Sequence, residues 1–562
     1  MTVDEAGSTT WPWLKSYPPG IDWHQDFPGR PIHELLLDAV SAHAEKPCLD
    51  FLGRSYSYRE LGDRVRRAAT GLSAIGVGKG TRVALLLPNS PTYVICYFAV
   101  AMIGGTVVNL NPLYAAREVR HLVEDSGAEI LVTLDVRQLY GLAAPLIGTT
   151  TVKTVVVQRM ADILPSVKGL FYGWFKQGDT AVWPRDVHHR DFRDLTQNDG
   201  AVSPAAIDPD RDIAVLQYTG GTTGVPKGAM LTHRNLWANT WQCHAWLQQI
   251  PGGIERVLCV LPFFHVFAMT GAMNLGIACG AELLLMPRFT IDGLLALIKR
   301  KRPTFLPGVP TLYTAIYNHP KAKRVDLSSI RLCVSGGASL PLEVKTKFEA
   351  ATGCRLMEGY GLSETAPVLT INPIDTRAGS AGLPIPGTVI EIVSTEDGHV
   401  LAQGERGEIC ARGPQVMPGY WQKGVETAQA MAGGRFHTGD VGYLDPDGFL
   451  YIVDRIKDII IASGYKIYPR LVEEALYQHP KVAQAIVIGV PDRYRGQTVK
   501  AVVQPRAGTA LSEAELLDFL KDKVSPIERP RVIEFRDALP LTPIGKPDKK
   551  ALLAEDAARA SH

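Results

Sequence analysis

The chain has 562 residues, of which 46% are hydrophobic and 21% charged, and its formal net charge is +2. This composition is typical of a soluble globular protein with large cores, and the near-balanced charge argues against nucleic acid as a partner. Eight cysteines are spread along the chain without a CxxC pair, which predicts reduced, mostly buried thiols rather than a metal site.

The amino-terminal stretch MTVDEAGSTT is acidic and polar and shows no secretory signal, so we expect a cytoplasmic protein. The longest apolar run, YVICYFAVAMIGGTVVNL, is interrupted by Gly104 and Gly105. A membrane-spanning helix needs about 20 predominantly apolar residues. Ser90 and Pro91 are typical of an N-cap and a first helical position, so the run predicts a buried helix followed by a strand.

Short β-branched runs alternate with amphipathic segments over most of the chain. The runs are RVALLLP, EILVTL, IAVLQY, RVLCVLP, AELLLMP, TFLPGVP and IRLCVSGG, and segments such as TIDGLLALIKRKR and PLEVKTKFEAATG lie between them. This alternation predicts an α/β fold with largely parallel sheets. From about residue 375 to 450, strand and turn patterns dominate, which predicts a small antiparallel β-barrel.

A domain boundary is predicted near YIVDRIKD. We therefore divide the chain into an N-terminal domain of two α/β subdomains plus the barrel at 1–453, a hinge at 454–457 and a small α/β domain at 458–562. In the small domain, Ser512 followed by Glu515 predicts a helix that opens with a capping box.

Residues 160–176, MADILPSVKGLFYGWFK, show helical spacing of apolar side chains interrupted by one proline and two glycines. The stripe consists of Met160, Ile163, Leu164, Val167, Leu170, Phe171, Trp174 and Phe175. Two interpretations stay open. The stripe packs on the protein's own core or on a second subunit of a homodimer, or it lies in the membrane interface and meets lipid-borne substrate. The second would make the protein peripheral on the inner face of the membrane.

The stretch YTGGTTGVPKGAMLTH, residues 218–233, has too many glycines and threonines for a packed helix. Its glycines expose backbone N–H groups to an anion, its threonines add hydroxyls and its lysine adds a charge. The residues are Thr219, Gly220, Gly221, Thr222, Thr223, Gly224 and Lys227. They suit a polyphosphate, although Pro226 before Lys227 departs from the Walker A pattern. In isolation, a plain surface loop is the alternative.

Three downstream segments, LMEGYGLSETAP, FHTGDVGYLDPDGFLYIVDRIKD and LPLTPIGKPDKK, complete a pattern with this loop. Together and in this order they resemble the adenylate-forming superfamily of acyl-CoA synthetases, luciferases and adenylation domains. VVNLNPLY and GPQVMPGYW resemble its bacterial long-chain fatty acyl-CoA synthetases. The resemblance implies a ligase that joins a fatty acid to coenzyme A through acyl-AMP, using ATP and Mg²⁺, with a mobile C-terminal domain.

The resemblance also implies roles for individual residues. The 219–227 loop would hold the β- and γ-phosphates, Glu364 would hold Mg²⁺ with Thr219 as a second donor, and Lys546 would reach the acyl carboxylate and α-phosphate. Further nucleotide contacts are implied for Gly337, Glu358, Gly359, Tyr360, Gly361, Ser363, Asp440 and Arg455. Among these, Tyr360 would stack on adenine, Ser363 would reach the α-phosphate, and Asp440 and Arg455 would bind ribose.

Three more positions follow from the resemblance. His265 would be a gate between the ATP site and the acyl channel, with a satisfied core histidine as the alternative. Lys457 would be the hinge about which the small domain rotates, and Gly464 would let the pantetheine arm of coenzyme A pass. Simpler roles stay open for Glu364 as a helix-start carboxylate and for Lys546 as a surface charge.

Other functions also stay open. The acyl-AMP could pass to a carrier-protein thiol, or the acid could be medium-chain or aromatic. A nucleotide-responsive membrane scaffold without activity is a third class. It would predict damage to the catalytic set, yet Lys227, Glu364, Asp440, Arg455 and Lys546 are all present.

Overall fold

The computed structural model describes residues 2–3, 9–175, 177–219, 226–249, 252–374, 377, 379–541 and 548–560. Within these ranges the chain forms four sheets of four or more strands and a two-stranded pair, Thr2–Val3 with Thr9–Thr10. The predicted alternation of strands and helices is confirmed, and it produces mainly parallel sheets.

The first sheet has seven strands, all parallel except at one edge. In spatial order they are Lys227–Thr232, Ile213–Thr219, Thr106–Asn109, Arg82–Leu86, Ile130–Leu134, Thr154–Gln158 and His189–Asp191. The antiparallel pair at the edge, Ile213–Thr219 with Lys227–Thr232, brackets the predicted phosphate loop.

The second sheet has nine strands with six parallel strands at its centre. Its order is Leu383–Pro384, Val368–Ile371, Arg355–Gly361, Leu332–Ser335, Phe305–Gly308, Arg256–Cys259, Glu282–Leu285, Pro47–Phe51 and Arg54–Ser57. The central parallel strands are covered on both faces, so their sequences are largely continuous apolar runs.

Two smaller sheets follow along the chain. The predicted barrel region forms a four-stranded antiparallel sheet of Val389–Val393, Gly407–Arg412, Phe436–Leu444 and Leu450–Arg455. A turn at Ile456–Asp458 leads to the C-terminal sheet. That sheet contains Ile460–Ala462, Tyr465–Ile467, Val482–Asp492, Gly496–Pro505 and Val532–Phe535.

The helices cover the sheets and connect their strands. They are Glu34–His43, Tyr58–Ala74, Pro91–Met102, Ala116–Ser126, Arg137–Ala143, Met160–Ile163, Ser166–Phe175, Phe192–Leu195, His233–Leu247, Val266–Ala268, Leu275–Ala278, Ile291–Lys301, Pro310–Asn318, Leu342–Thr352, Gly424–Ala430, Pro469–Tyr477, Glu513–Leu520 and Lys549–Ala560, with a π-helical turn at Met269–Asn274.

The helix Pro91–Met102 confirms the prediction for the longest apolar run. The Ser90 hydroxyl accepts a hydrogen bond from the Tyr93 N–H, and every residue of the helix is buried. A helix that is apolar all round belongs inside a protein core. Among the described residues, no helix is both long and apolar enough to span a bilayer.

One local prediction is corrected and another is confirmed. Ser512 caps the helix Glu513–Leu520, but the Glu515 carboxylate does not complete a capping box. It lies instead 2.8 Å from the Lys481 ammonium, a charged partner that outcompetes a backbone N–H. All eight cysteines are free thiols, as predicted, and seven of them are buried.

The stripe at 160–176 is divided rather than continuous. Pro165 separates the helices Met160–Ile163 and Ser166–Phe175, as a residue without a backbone N–H favours. Ile163 and Leu164 are buried in the protein's own core. Three stripe residues of the second helix are exposed, with 67%, 63% and 51% of their surface in solvent: Val167, Leu170 and Phe171.

Candidate active site

The antiparallel edge of the first sheet brings the two ends of the predicted phosphate loop together. Thr219 and Lys227 are direct register partners, and the Thr219 hydroxyl lies 3.4 Å from the Lys227 carbonyl oxygen. Residues 220–225 between them lie outside the described part of the chain, and these include Gly220, Gly221, Thr222, Thr223 and Gly224. The strands therefore define where this loop begins and ends.

Glu364 and Lys227 meet through a residue that the sequence analysis did not single out, Tyr420. The Tyr420 hydroxyl donates to the Glu364 carboxylate at 2.8 Å, and the Lys227 ammonium lies 5.3 Å from the centre of its ring. Burial raises the pKa of Glu364, and the hydrogen bond from Tyr420 opposes that rise. No spacing rule relates residues 56 positions apart, so only the fold reveals this link.

Glu364 is held beside the loop by backbone contacts. It lies in the short turn Ser363–Thr365, and its carbonyl oxygen accepts a hydrogen bond from the Met417 N–H at 2.9 Å. The segment after Met417 then pairs with the edge strand Lys227–Thr232, because the Trp421 N–H donates to the Gly228 carbonyl. This arrangement puts the nearly buried Glu364 carboxylate close to Lys227. A carboxylate is the kind of hard oxygen ligand that a magnesium ion prefers.

Tyr360, Asp440 and Arg455 form a second group across the second sheet and the antiparallel sheet. The Tyr360 hydroxyl donates to Asp440 Oδ2 at 2.7 Å, and Arg455 Nε lies 3.1 Å from Asp440 Oδ1. Burial raises the pKa of Asp440, while Arg455 and Tyr360 favour its charged form. Asp440 and Arg455 are also close enough to Glu364 to influence its pKa, so the two groups are neighbours.

Glu358 joins the loop after the strand Leu332–Ser335 to the strand Arg355–Gly361. Glu358 Oε1 accepts a hydrogen bond from the Leu340 N–H at 3.1 Å, and Gly337 lies in that loop with φ of +75°. Burial raises the pKa of Glu358 to about 7, against the opposing charge of Arg470. Gly337 and Glu358 thus lie at neighbouring strand ends, the usual place for ligands in parallel sheets.

Packing explains only one of the two glycines in the EGYGLSE stretch. A side chain on Gly361 would put its Cβ 1.8 Å from the Pro367 carbonyl oxygen, so packing alone requires glycine there. A Cβ on Gly359 would meet only ordinary contacts, the nearest at 3.4 Å. Ser363 begins the turn that carries Glu364.

His265 lies where the first and second sheets meet. Its Nδ1 accepts a hydrogen bond from the Phe267 N–H at 3.4 Å and caps the helix Val266–Ala268. The Phe267 ring lies 3.2 Å from where a Cβ on Gly336 would be, so this segment covers the loop that contains Gly337. The preceding Phe264 carbonyl accepts from Gln217 of the first sheet at 3.0 Å.

The hinge position and the C-terminal segment lie near Asp440, Arg455 and Asp454. Lys457 is exposed, although desolvation by its surroundings and the charge of Arg455 lower its pKa. Gly464, with φ of +82°, forms the tip of the exposed hairpin Ile460–Ala462 with Tyr465–Ile467. Lys546 lies outside the described residues, but Lys549 is an ion-pair partner of Glu473 at 3.1 Å and is close enough to Asp454 to feel its charge.

Two family profiles match the chain. That of the AMP-binding enzymes covers residues 36–421, and that of the AMP-binding enzyme C-terminal domain covers residues 471–546. The long-chain-fatty-acid–CoA ligase of Bacillus subtilis (strain 168) is 42% identical over 550 residues, with 97% of this chain and 98% of the relative covered. The feruloyl-CoA synthase of Amycolatopsis sp is 36% identical, with 88% and 92% covered.

Solved structures have the same fold. ATP-bound MatB from Rhodopseudomonas palustris matches with a TM-score of 0.83 and 29% identity, covering 94% of this chain and 99% of that one. The apo form of the same protein matches over the same shares with a TM-score of 0.75. With both profiles matched in order and a relative aligned over nearly its full length, the chain belongs to the family of AMP-binding enzymes.

Proposed function

We propose that this protein is an ATP-dependent long-chain fatty acid–CoA ligase that forms acyl-AMP and pyrophosphate before it forms acyl-CoA. One observation carries the proposal. Side chains from distant parts of the sequence lie near one another, Lys227 and Glu364 through Tyr420, and Asp440 beside Arg455, in a chain 42% identical to a ligase of that name.

In the first step the fatty carboxylate attacks the α-phosphorus of ATP, and pyrophosphate leaves. Carboxylate and triphosphate repel each other, so the site has to supply positive charge and N–H donors. Lys227 and the loop that precedes it supply these at the β- and γ-phosphates. Asp440, fixed between Tyr360 and Arg455, accepts hydrogen bonds from the ribose hydroxyls.

The residues at Glu364 fit a magnesium ion. Glu364 is a nearly buried carboxylate whose pKa is raised by burial, so a bound cation would favour its charged form. With the Thr219 hydroxyl it offers hard oxygen donors. Bound there, Mg²⁺ would neutralise charge on the phosphates.

In the second step the thiol of coenzyme A attacks the acyl carbonyl, and AMP leaves. We assign Lys546 to the first step alone, with the C-terminal domain rotating about Lys457 to bring the Gly464 hairpin to coenzyme A. The contacts of Lys549 near Asp454 support this assignment, because Lys549 lies only three positions after Lys546.

The purified protein is expected to form AMP and pyrophosphate when given palmitate, ATP, Mg²⁺ and coenzyme A. Acids of two to eighteen carbons and ferulate are compared by kcat/KM, because a relative is a feruloyl-CoA synthase. A maximum at long chains supports the proposal, whereas a maximum at ferulate or medium chains selects the alternative substrate. Turnover with a phosphopantetheine carrier protein but not with free coenzyme A selects the other acceptor.

Lys546→Ala is expected to lower acyl-AMP formation by at least 100-fold, because it removes a cation from the crowded anionic centre. Formation of thioester from supplied acyl-AMP is expected to stay within threefold of the parent. The two half-reactions are measured separately. Lys550→Ala, four positions along, is the control for a general loss of charge. Equal losses in both half-reactions would contradict the assigned role.

We further propose that the exposed apolar face of the helix Ser166–Phe175 lies on a membrane surface. Val167 and Leu170 are about two-thirds exposed, and the Lys168 ammonium beside them binds the Leu52 carbonyl at 2.7 Å. Apolar side chains beside a cation suit the interface of an anionic bilayer. A second copy of the chain is the competing occupant.

Val167→Asp with Leu170→Asp is expected to release the protein from anionic vesicles in flotation while leaving turnover of dissolved short-chain acids unchanged. Val425→Asp, equally exposed on the helix Gly424–Ala430, is the matched control. If flotation stays unchanged and a dimer becomes a monomer in ultracentrifugation, the face is a subunit contact instead.

A further inference from the structure

An irregular β-bulge carries Asp440. The strands Gly407–Arg412 and Phe436–Leu444 pair Glu408 with Val441 and Cys410 with His437. Residues 438–440 therefore all lie opposite the single residue 409, so two extra residues are inserted in one strand. Bulges redirect side chains out of the regular pleat. Here the redirected side chain is the Asp440 carboxylate, which turns to Tyr360 and Arg455.

On the side that faces the strand Gly407–Arg412 the bulge is held by side chains, while on its other side Asp440 stays paired with Arg455 in the ladder. Glu408 Oε1 accepts a hydrogen bond from the Gly439 N–H at 3.0 Å, and Glu408 Oε2 lies 2.8 Å from His437 Nδ1. The Thr438 hydroxyl donates to the Ile409 carbonyl at 2.7 Å and accepts from the Asp440 N–H at 3.1 Å. Gly439 has φ of +71°, which glycine adopts without strain.

Glu408, Cys410 and His437 are also the only three metal-ligand side chains found clustered within the described residues. A tetrahedral zinc would separate its nitrogen and oxygen ligands by about 3.3 Å. The observed 2.8 Å between His437 Nδ1 and Glu408 Oε2 is a hydrogen-bond distance. His437 Nε2 faces the Ala432 carbonyl at 3.2 Å, so both ring nitrogens point at oxygen atoms. The cluster is therefore a hydrogen-bonded staple.

We infer that Glu408 is a positioning residue for nucleotide binding, which fixes the bulge so that Asp440 presents its carboxylate to the ribose. Glu408 does not touch the nucleotide itself. Its oxygens replace the ladder hydrogen bonds that the inserted residues lose, and an unsatisfied backbone N–H there would let the turn shift. This inference rests on the proposed ribose contact of Asp440.

The test is a double-mutant cycle read as the dissociation constant of AMP by calorimetry. Glu408→Ala is expected to weaken AMP binding about tenfold, and Asp440→Ala more than that. The double variant is expected to bind AMP within twofold of Asp440→Ala, because Glu408 acts only through Asp440. Glu408→Gln is expected to stay within threefold of the parent, since its amide oxygen still accepts the Gly439 N–H.

The matched control is Glu391→Ala, which removes a carboxylate of the same sheet paired with Arg412 and Arg435 and does not touch the bulge. It is expected to leave AMP binding unchanged. KM for ATP should rise in Glu408→Ala while KM for the fatty acid stays the same, a split that general loss of folding would not produce. Urea unfolding checks that each variant is folded.

The outcomes separate the two claims. If Asp440→Ala binds AMP normally, the ribose contact fails, and this inference fails with it. If Asp440→Ala is impaired but Glu408→Ala is not, or if their effects add in full, the inference fails alone. Should Glu408→Ala not fold, Thr438→Val is expected to weaken AMP binding tenfold and Thr438→Ser to restore it. If the purified protein contains stoichiometric zinc, and if removing that zinc with a chelator abolishes AMP binding, the cluster is a metal site and not a hydrogen-bonded staple.

Discussion

Tyr420 has two separable contacts. Its ring lies 5.3 Å from the Lys227 ammonium, and its hydroxyl donates to the Glu364 carboxylate at 2.8 Å. Burial and the adjacent Glu364 carboxylate raise the pKa of Tyr420, so the hydroxyl remains a donor at neutral pH. One side chain therefore contacts both Lys227, the proposed phosphate-binding cation, and Glu364, the proposed magnesium ligand.

Tyr420→Phe is expected to lower kcat for acyl-AMP formation about tenfold while keeping KM for ATP within threefold, because the ring beside Lys227 remains. The pKa of Glu364 should rise further without its donor, so the acidic limb of the pH–rate profile should move to higher pH. Steady-state kinetics between pH 5 and 9 would measure both changes.

The control is Tyr443→Phe, since Tyr443 stacks on Tyr451 at 5.0 Å in the antiparallel sheet and makes no described contact with Glu364. It should leave the profile in place. If the acidic limb of the pH–rate profile does not move in Tyr420→Phe, the hydrogen bond from Tyr420 to Glu364 has no role in the reaction.

At the scale of elements, two helix starts meet around a pair of buried histidines. His33 is the N-cap position of the helix Glu34–His43, and His233 is the first residue of the helix His233–Leu247. His233 Nδ1 accepts a hydrogen bond from the Ile32 N–H at 3.0 Å. Burial lowers the pKa of His33 to about 4 and that of His233 to about 3, and helix N-termini also disfavour cations.

The contribution of these two histidines to stability is expected to fall below pH 6.5. Both have lower pKa values in the folded state, so the unfolded chain binds more protons at them as pH drops from 6.5 towards 4. Their contribution is complete above pH 6.5 and is lost as pH falls, by up to about 2 kcal/mol per histidine at pH 5. Glu358, whose pKa burial raises, contributes with the opposite sign. Urea unfolding at pH 7 and pH 5 would measure the loss.

His233→Asn keeps an acceptor for the Ile32 N–H but cannot take up a proton. It should be less stable than the parent at pH 7 and should lose less between pH 7 and pH 5. His24→Asn, at an exposed position, serves as the control. An equal pH loss in parent and His233→Asn would exclude His233 as the cause.

For the whole molecule, polar contacts join the C-terminal sheet to the rest of the chain. Arg506 Nη2 lies 2.7 Å from Glu343 Oε1 on the helix Leu342–Thr352. The Arg406 guanidinium lies 5.9 Å from the Tyr468 ring, and the Lys466 ammonium 3.8 Å from Glu396. Contacts that are individually weak are what the proposed rotation of this domain would require.

Arg506→Ala is expected to slow acyl-AMP formation two- to threefold and to leave thioester formation from supplied acyl-AMP unchanged. A partly exposed ion pair contributes about 0–1 kcal/mol, so a larger effect is not expected. The two half-reactions measured in one preparation provide the comparison. Arg559→Ala removes an ion pair with Glu534 that lies inside the small domain and should change neither rate. Equal slowing of both half-reactions would contradict a role of the Arg506–Glu343 ion pair in acyl-AMP formation alone.

Local patterns predicted most of the elements, because their signals lie within a few residues. Ser90 and Pro91 predicted the start of a buried helix, and each β-branched run became a strand of a parallel sheet. The capping box at Ser512 was half wrong, because Glu515 found Lys481, which is distant in sequence. The nucleotide contacts came from resemblance to a family, since spacing alone relates no two of them.

The sequence by itself determined the alternation of strands and helices, the buried apolar helix and the family to which the chain belongs. Only the tertiary structure decided that Tyr420 contacts both Lys227 and Glu364, that Glu408 contacts the bulge that carries Asp440, and that Ile163 and Leu164 of the 160–176 stripe are buried while Val167, Leu170 and Phe171 are exposed. The physical reason is the distance along the sequence over which each interaction acts. Helix caps and strand periodicity act between neighbours, whereas burial, pKa shifts and hydrogen bonds between strands depend on which surfaces meet.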